Sequence, residues 1–392
     1  MLRRSYTSRN PRHLLPEAQA YVERETARGW WVLWDAEEWW RDRYEFILQH
    51  GYTQRTRFRP GLKPSWIGTD LNPYRLDDGY RHLDESIISA TRVADGKPLI
   101  IRRIIVNVMS TEVAIGKYLT NSDFSNDPAN HAVPVLDVFR DVSHGLQFVV
   151  MPVLRHFDDP PFSTVSEVTD FVFQTLEGIE FLHGRGVAHQ DCSIGNIMMD
   201  ATPLYPDGFH PINQDMLPSF DGPARHLTRR QASPVKYYFI DFGISRLWLG
   251  KTKVTRSPGA VGRDRDVPER QDNDNIYNPF LVDIFLLGYP VPTSLTHTCL
   301  IVIRTYFLAP LADAMMKTDP EQRPTPSEAL ALFRIIINEQ SGLSLRRRLQ
   351  TANESLLWRM LQDLGAIFRE LLHVLTYFLG GGRQPQRPKP SA

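Results

Sequence analysis

Cysteine is almost absent from the sequence, and neither sign of charge is in excess. Cys192 and Cys299 are the only cysteines among 392 residues, which excludes a disulfide scaffold and a cysteine-rich zinc site. The 45 lysines and arginines balance the 45 aspartates and glutamates, which argues against nucleic acid as the main partner. We therefore expect an intracellular, cytoplasmic protein that binds no nucleic acid.

The sequence also lacks a long uninterrupted hydrophobic run. Residues 355–379 are its best candidate, but Arg359, Asp363 and Arg369 interrupt them, which a lone membrane span would not carry. Leucines recur there at helical spacing, so the segment predicts an amphipathic helix packed on its own domain, with membrane or partner binding as the alternative. No transmembrane span is expected.

The order of patterns along the chain changes from strand-like to helical. The stretches 86–93 and 98–105 flank an Ala94-Asp95-Gly96-Lys97 turn and predict a hairpin, whereas residues 165–183 and most of the chain after 280 have helical spacing. A small β-rich part followed by a larger helical part indicates the α+β class. We divide the chain into five regions. A tryptophan-rich helical extension (1–80) precedes a β-rich lobe (81–154) and a helical lobe (155–340), which contains a proline-rich surface-loop insertion (200–236). An amphipathic helical region (341–379) and a disordered tail (380–392) follow.

A series of short polar motifs follows the predicted helix 165–183. His189-Gln190-Asp191 comes first, with Asn196 five residues after Asp191, and Asp241-Phe242-Gly243 follows. Further on lie Pro268-Glu269, Asp283 and Arg323. Each motif alone could be an ordinary turn or helix cap. Their common order along one chain is far less readily explained as a set of unrelated turns.

With these motifs the chain resembles the eukaryotic protein-kinase family, and in particular divergent kinase-domain proteins of basidiomycete fungi. The stretches HQDCSIGNIMMD and VKYYFIDFGISR carry the likeness, which covers roughly residues 80–337 and is stronger in the second half. The resemblance implies a bilobal protein-kinase-like fold of the α+β class, with ATP and Mg²⁺ as cofactors. It also implies a protein substrate or protein partner.

The resemblance assigns roles to single residues. Asp191 would accept or orient the proton of the substrate hydroxyl, and Asn196 and Asp241 would bind Mg²⁺, which prefers such hard oxygen ligands. Met151 takes the gatekeeper position, and Val153 lies in the hinge that faces adenine. Three further residues would support the site. Glu269 and Arg323 would form a buried ion pair, and Asp283 would cap the backbone of the catalytic loop.

The nucleotide-binding half departs from the family pattern. Arg102 stands at the position of the phosphate-binding lysine, with Glu112 as its expected ion-pair partner. Lys97 and Lys117 are alternatives for the phosphate-binding cation. A further alternative is that Arg102 and Glu112 are simply exposed. The stretch 82–89, where a glycine-rich loop is expected, has no glycine and carries two carboxylates. Gln190 replaces the usual arginine of the catalytic loop.

Three functions remain open from the sequence. The first is an ATP- and Mg²⁺-dependent protein kinase acting on serine or threonine. The second is a pseudokinase that serves as a scaffold or allosteric partner with weak or no transfer. The third, a small-molecule phosphotransferase of kinase-like fold, is disfavoured because Glu269, Asp283 and Arg323 match protein kinases.

Overall fold

The computed structural model of the chain describes most of residues 12–349. Described are residues 12–81, 84–232, 234–248, 257–258, 262, 264, 266–271, 276–289 and 303–349, and the single positions 355, 360, 361 and 365. The predicted helix 355–379, apart from those four positions, and the tail 380–392 therefore lie outside the described residues. Two compact units form: a sheet unit (described residues within 1–110, 134–153 and 205–226) and a helical unit (those within 111–133, 154–204 and 227–392).

The sheet unit is built on a five-stranded antiparallel sheet. Its strands run in the order β1-β2-β3-β5-β4 across the sheet. The elements of this unit are α1 (Pro16–Ala27), α2 (Asp35–Arg41), α3 (Tyr44–Gln49), β1 (Tyr52–Gln54), β2 (Ile87–Arg92), β3 (Pro98–Ile105), β4 (Asp137–Asp141) and β5 (Leu146–Pro152). The helix α4 (Val106–Leu119) follows β3 directly in the chain.

The predicted hairpin is confirmed, and its register places side chains on defined faces. β2 and β3 pair antiparallel, with Ile88 opposite Ile101 and Ser89 opposite Ile100. Because side chains alternate along a strand, Ile101 lies on one face and Arg102 on the other, as the sequence predicts. Across β5, Arg102 pairs with Val149.

Aromatic side chains fill the core on the Ile101 face of the sheet. Trp40 of α2 lies 6.0 Å from the ring of Phe148 on β5, and Phe148 stacks on Phe139 of β4 at 5.0 Å. Ile47 of α3 and the fully buried Ile101 complete this contact. Residues that the sequence assigned to an N-terminal extension therefore supply both a strand and core side chains of the sheet unit, rather than a separate body.

The apolar stretch 133–139 predicts a strand from its sequence, but the strand of the structure begins later. The ladder with β5 covers Asp137–Asp141, and the N–H of Leu136 donates to the carbonyl of Val150 at 2.8 Å just before it. Proline lacks a backbone N–H, so Pro134 cannot donate to a ladder at the start of that stretch. Val133 instead belongs to the helical unit, where its N–H donates to the carbonyl of Phe239 at 2.9 Å.

The proline-rich insertion is not simply a surface loop. Phe220 is buried and lies 6.0 Å from the ring of Tyr80, while His210 is buried with its Nε2 2.9 Å from Oδ1 of Asp77. Arg12 forms an ion pair with Asp221. The prolines predict the irregular backbone correctly, but they do not show that the segment packs on residues 12–81 within the sheet unit.

The helical unit combines short antiparallel ribbons with longer helices. β6-β8-β9 form one ribbon, β7-β10 a second and β11-β12 a third. Its described elements after α4 are β6 (Arg155–His156), α5 (Val165–Gly184), β7 (Val187–Ala188), β8 (Ile197–Asp200), β9 (Lys236–Phe239), β10 (Arg246–Leu247), β11 (Ser257–Pro258), β12 (Ile276–Tyr277), α6 (Pro279–Gly288), α7 (Ala309–Met315), α8 (Pro326–Asn338) and α9 (Gly342–Leu345).

Local sequence explains where these helices begin. Asn278 caps α6 by accepting the N–H of Phe280 at 3.1 Å, and Thr325 and Glu328 form a reciprocal capping box on α8. Both helices carry proline at their first position, where no N–H is needed. In the part of the chain that the structure describes, no helix has the length and apolar character needed to cross a membrane.

Candidate functional site

The loop between β7 and β8 is held by one buried carboxylate. Asp283 of α6 is inaccessible to solvent and accepts the backbone N–H groups of His189 (2.8 Å) and Gln190 (2.6 Å). Nε2 of His183, in the last turn of α5, lies 3.0 Å from the same carboxylate. The expectation that Asp283 caps this loop is confirmed. Because α6 and α5 are fixed helices, they set the position of the whole loop.

The His189 ring links the loop to the Asp241 segment. Its Nε2 lies 3.0 Å from the carbonyl of Ile240, and its Nδ1 is 3.2 Å from the N–H of Asp191. A carbonyl can only accept, so Nε2 carries the hydrogen and Nδ1 accepts. Burial lowers the pKa of His189 below its ordinary value, which keeps the ring in this neutral form.

Asp191 and Asn196 are directly paired. Nδ2 of Asn196 donates to Oδ2 of Asp191 at 2.9 Å and to its backbone carbonyl at 2.8 Å. Both side chains are half-buried. No described residue donates to Oδ1 of Asp191, and the amide nitrogen of Asn196 is committed to Asp191, which leaves the amide oxygen for another ligand.

Asp241 comes directly after Ile240, whose backbone bonds to Asn196. The N–H of Ile240 donates to the carbonyl of Asn196 at 2.9 Å, and the Asp241 carboxylate accepts the N–H of Gly243 at 3.3 Å. Two further contacts join the segment to the loop: Ser245 Oγ donates to the His189 carbonyl at 2.9 Å, and Gln190 Nε2 donates to the Ile244 carbonyl at 2.6 Å. Asp191, Asn196 and Asp241, 50 positions apart at the extremes, are thus held in one region of the helical unit.

Backbone strain is concentrated in the same region. Gln190 has φ +67° and Asp241 has φ +61°, a left-handed conformation that side-chain-bearing residues seldom adopt. Among the described non-glycine residues, only Phe220 shares it. Strained residues of this kind persist where surrounding contacts enforce them and are typical of functional sites. Residue types alone carry no signal for this feature.

The predicted buried ion pair is also confirmed. Arg323 donates both terminal nitrogens to the Glu269 carboxylate, at 2.7 and 2.8 Å, and both residues are buried. Two further donors of the guanidinium bond to the carbonyls of Lys317 and Leu281, each at 2.8 Å. Such a fork is the geometry in which arginine binds a carboxylate most strongly. It ties the segment after residue 266 to α6 and the start of α8.

Arg270 is a member of the site that sequence reasoning missed. Its side chain is fully buried, and its guanidinium donates to the backbone carbonyl of Gln190, the residue with the strained backbone. A charged side chain directly after Glu269 reads as an ordinary surface residue in the sequence. Only the tertiary structure therefore identifies Arg270 as part of the site.

Cys192 lies in the same loop but is not a nucleophile. The thiol is fully buried and lies 3.4 Å from the backbone carbonyl of Asp283. Burial, together with the nearby Asp283 carboxylate, raises the pKa of the Cys192 thiol well above its ordinary value. A thiol in this environment is inert because the reactive thiolate is disfavoured.

The remaining predicted site residues lie on other elements. Arg102 is on β3 and Met151 near the end of β5; because Met151 pairs with Ile100, both share the sheet face opposite the aromatic core. Val153 follows β5 directly, and Glu112 lies on α4. Arg102, Met151 and Val153 belong to the sheet unit and Glu112 to the helical unit. Their roles toward a nucleotide stay predictions.

The Asp241 carboxylate and the Asn196 amide oxygen fit the preferences of Mg²⁺. This ion keeps several waters and takes one or two protein oxygens together with phosphates. Within the described ranges, no group of three or more histidine, cysteine, aspartate or glutamate side chains is placed to hold a metal. Asn196 and Asp241 are therefore the side chains that would hold a magnesium ion, with water and phosphate oxygens completing its coordination.

No family model matches the chain, and no curated protein matches it.

Proposed function

We propose that the chain adopts a bilobal protein-kinase-like fold that binds ATP with Mg²⁺ and transfers the γ-phosphoryl group to serine or threonine of a protein. The observation that carries the proposal is the Asp191–Asn196 hydrogen bond (2.9 Å) beside the Asp241 segment, on a loop held by the buried Asp283. Phosphoryl transfer needs mostly positioning and charge stabilisation, which such a rigid polar loop can provide.

Each residue of the loop has one role in this proposal. The Oδ1 atom of Asp191 orients the substrate hydroxyl and accepts its proton, while Asn196 holds Asp191 in place through the amide nitrogen. The Asn196 amide oxygen and the Asp241 carboxylate bind Mg²⁺. When bound, the ion neutralises charge that develops on the phosphates. His189 stays neutral and serves only to orient the loop.

The sheet unit supports the nucleotide-binding part of the proposal by position. Protein kinases carry a phosphate-binding lysine on their third strand, paired with a glutamate of the following helix. Here Arg102 is on β3, and Glu112 lies on α4, which follows it. Arginine keeps the charge but has a larger planar group, so we expect weaker nucleotide binding than a lysine would provide.

A pseudokinase is the second candidate, and the connection between β1 and β2 favours it. This connection, from Gln54 to Ile87, is long and is hydrogen-bonded to α2, unlike a short glycine loop. Arg57 donates two hydrogen bonds to Glu37, at 2.7 and 2.8 Å, and both are buried. A connection fixed in this way cannot close over phosphates as a glycine-rich loop does.

Ligand-induced stabilisation tests the proposal first. The melting temperature of the purified chain should rise with millimolar ATP, and more so with Mg²⁺ present. Asp241→Asn should remove the Mg²⁺-dependent part of the rise, whereas Asp313→Asn, at an exposed position of α7, should leave it unchanged. The absence of any rise with ATP would contradict both the kinase and a nucleotide-sensing pseudokinase.

Transfer of radiolabelled phosphate then separates the two candidates. Asp191→Asn should lower transfer to a generic protein substrate at least 100-fold and leave the ATP-dependent rise in melting temperature intact. ATP binding without transfer in the unaltered chain would establish the pseudokinase. Transfer that survives Asp191→Asn would show that another group acts as the base.

A further inference from the structure

Large aromatic side chains are exposed in one region of the sheet unit. Trp30 and Trp34 are 54% and 47% exposed, and Val32 between them is 61% exposed. Tyr74, also exposed, lies with its ring 5.7 Å from that of Trp31, the buried neighbour of Trp30. A contiguous exposed patch of this kind is typical of an interaction surface, whereas isolated exposed apolar residues are not. We call Trp30, Val32, Trp34 and Tyr74 the tryptophan patch.

The tryptophan patch already holds a cation. The guanidinium of Arg81 lies 4.7 Å from the ring centroid of Trp34 and 5.8 Å from that of Trp30. Both distances fall within the range of cation–π attraction. The two indoles therefore present rings in an arrangement that suits guanidinium groups. Trp, Tyr and Arg are also the residues that dominate binding energy at protein interfaces.

A cavity of about 440 Å³ continues from Trp34 into the sheet unit. Its walls are apolar at Leu33, Ala36, Trp40 and Phe58, and four carboxylates lie around it. Those four are Asp35, Glu37, Asp84 and Glu85.

Two of these carboxylates are committed and two are not. Glu37 is paired with the buried Arg57, and Asp84 accepts the N–H and hydroxyl of Ser86, each at 2.7 Å. No described residue donates to the carboxylates of Asp35 or Glu85, and both residues are exposed. The cavity therefore combines an apolar wall with two carboxylates that are available to a cation from outside.

We propose that the tryptophan patch and this cavity together bind a peptide segment of a partner protein that carries arginine next to apolar side chains. An arginine side chain fits the cavity because its apolar stem can lie along the exposed Trp34 and the half-buried Leu33 while its guanidinium meets Asp35 and Glu85. The apolar neighbours of that arginine would cover the exposed indoles. The charge around the cavity repels nucleic acid and acidic peptides, so the surface selects basic segments.

Fluorescence anisotropy with a labelled peptide of alternating leucine and arginine tests the proposal on the full-length chain. The peptide should bind, and its analogues with glutamate or serine in place of arginine should bind at least tenfold more weakly. Raising the salt concentration should weaken binding, because two exposed carboxylates contribute. Equal binding of all three peptides would overturn the charge selection and the proposal with it.

Substitutions locate the site. Trp34→Ala should weaken binding about tenfold, and Asp35→Asn about threefold, without loss of fold because both positions are exposed. The matched control is Glu38→Gln on the same helix, which is ion-paired with Arg41 outside the cavity and should leave binding unchanged. Binding that is insensitive to Trp34→Ala and Asp35→Asn would place the peptide elsewhere and overturn the assignment.

Two further measurements separate other occupants. Sedimentation that shows dimers dissociating on Trp34→Ala, with no peptide binding, would assign the patch to a second copy of the chain. A chain lacking residues 2–11 that binds the peptide when the full chain does not would assign it to the chain's own arginine-containing N-terminal segment. Either result would overturn the partner peptide.

Discussion

The aromatic core of the sheet unit and the region beneath the candidate site are built from opposite kinds of side chain. In the sheet unit, the rings of Trp40, Phe148 and Phe139 stack against one face of the strands. In the helical unit, buried Asp283 and the Glu269–Arg323 pair hold loops by directed hydrogen bonds. Strands already bond one another, so they need only a covered face. A loop has no ladder of its own, so its backbone groups require a buried acceptor.

This difference predicts how each region responds to damage. Apolar packing is non-directional, and its loss destabilises in proportion to the volume removed. A buried polar network instead fails when a single atom is removed, because the partners left behind stay desolvated and unpaired. A substitution that disrupts the site geometry of the helical unit should therefore lower the free energy of unfolding less than a substitution that disrupts the core of the sheet unit.

The largest effect is expected in the sheet unit. Trp40→Ala removes a side chain that is 2% exposed and should lower the free energy of unfolding by about 4 kcal/mol. Trp30→Ala is the control at an exposed indole and should cost less than about 1 kcal/mol. Urea denaturation followed by far-ultraviolet circular dichroism measures both. Equal costs at the two positions would show that Trp40 is not part of a packed core.

A smaller loss of stability but a larger loss of site geometry is expected for Asp283→Ala. It leaves the N–H groups of His189 and Gln190 without their acceptor and should cost about 3 kcal/mol. Asp283→Asn retains one oxygen and should cost less. Asp313→Ala, at an exposed position of α7, should change stability by no more than about 0.5 kcal/mol. Hydrogen exchange at residues 189–191 should accelerate in Asp283→Ala while the β3 amides stay protected. Unchanged exchange in the loop would contradict its dependence on this carboxylate.

The smallest effect is a pH dependence that belongs to the helical unit. Burial lowers the pKa of His189 in the folded chain, so the unfolded chain binds its proton first as pH falls. Stability should therefore decrease as pH drops below about 6.5, by at most about 1.4 kcal/mol per pH unit from this residue. His189→Gln should reduce that slope between pH 6.5 and 5 in urea denaturation. An unchanged slope would show that other groups carry the acid sensitivity.

The sequence predicted the elements whose signals are local. The hairpin of β2 and β3 and the helix α5 both follow from short-range patterns of apolar residues and turns. The pairing of Glu269 with Arg323 and the capping role of Asp283 were implied by the resemblance to protein kinases that the motifs carry, and the contacts are present. Strand β4 was placed too early, since Pro134 is a breaker that an apolar run conceals.

Other features depended on contacts between distant segments and left no mark in the sequence. The insertion packs on residues 12–81 through His210 and Phe220, although its prolines indicate only a loop. Arg270 reads as a surface charge, yet it is buried against the carbonyl of Gln190. The strained backbone of Gln190 and Asp241 is likewise set by surrounding bonds, not by residue type.

What the amino-acid order determined by itself is therefore the α+β class, the main local elements and the identity of Asp191, Asn196 and Asp241 as candidates. Only the tertiary structure decided that a single buried carboxylate from α6 holds the loop of Asp191 and Asn196, and that the exposed Trp34 borders an acidic cavity in the sheet unit. The physical reason is the separation along the sequence over which each interaction acts. Propensity, alternation and capping act within a few residues, whereas burial and hydrogen bonding across the fold join positions that the sequence separates by a hundred.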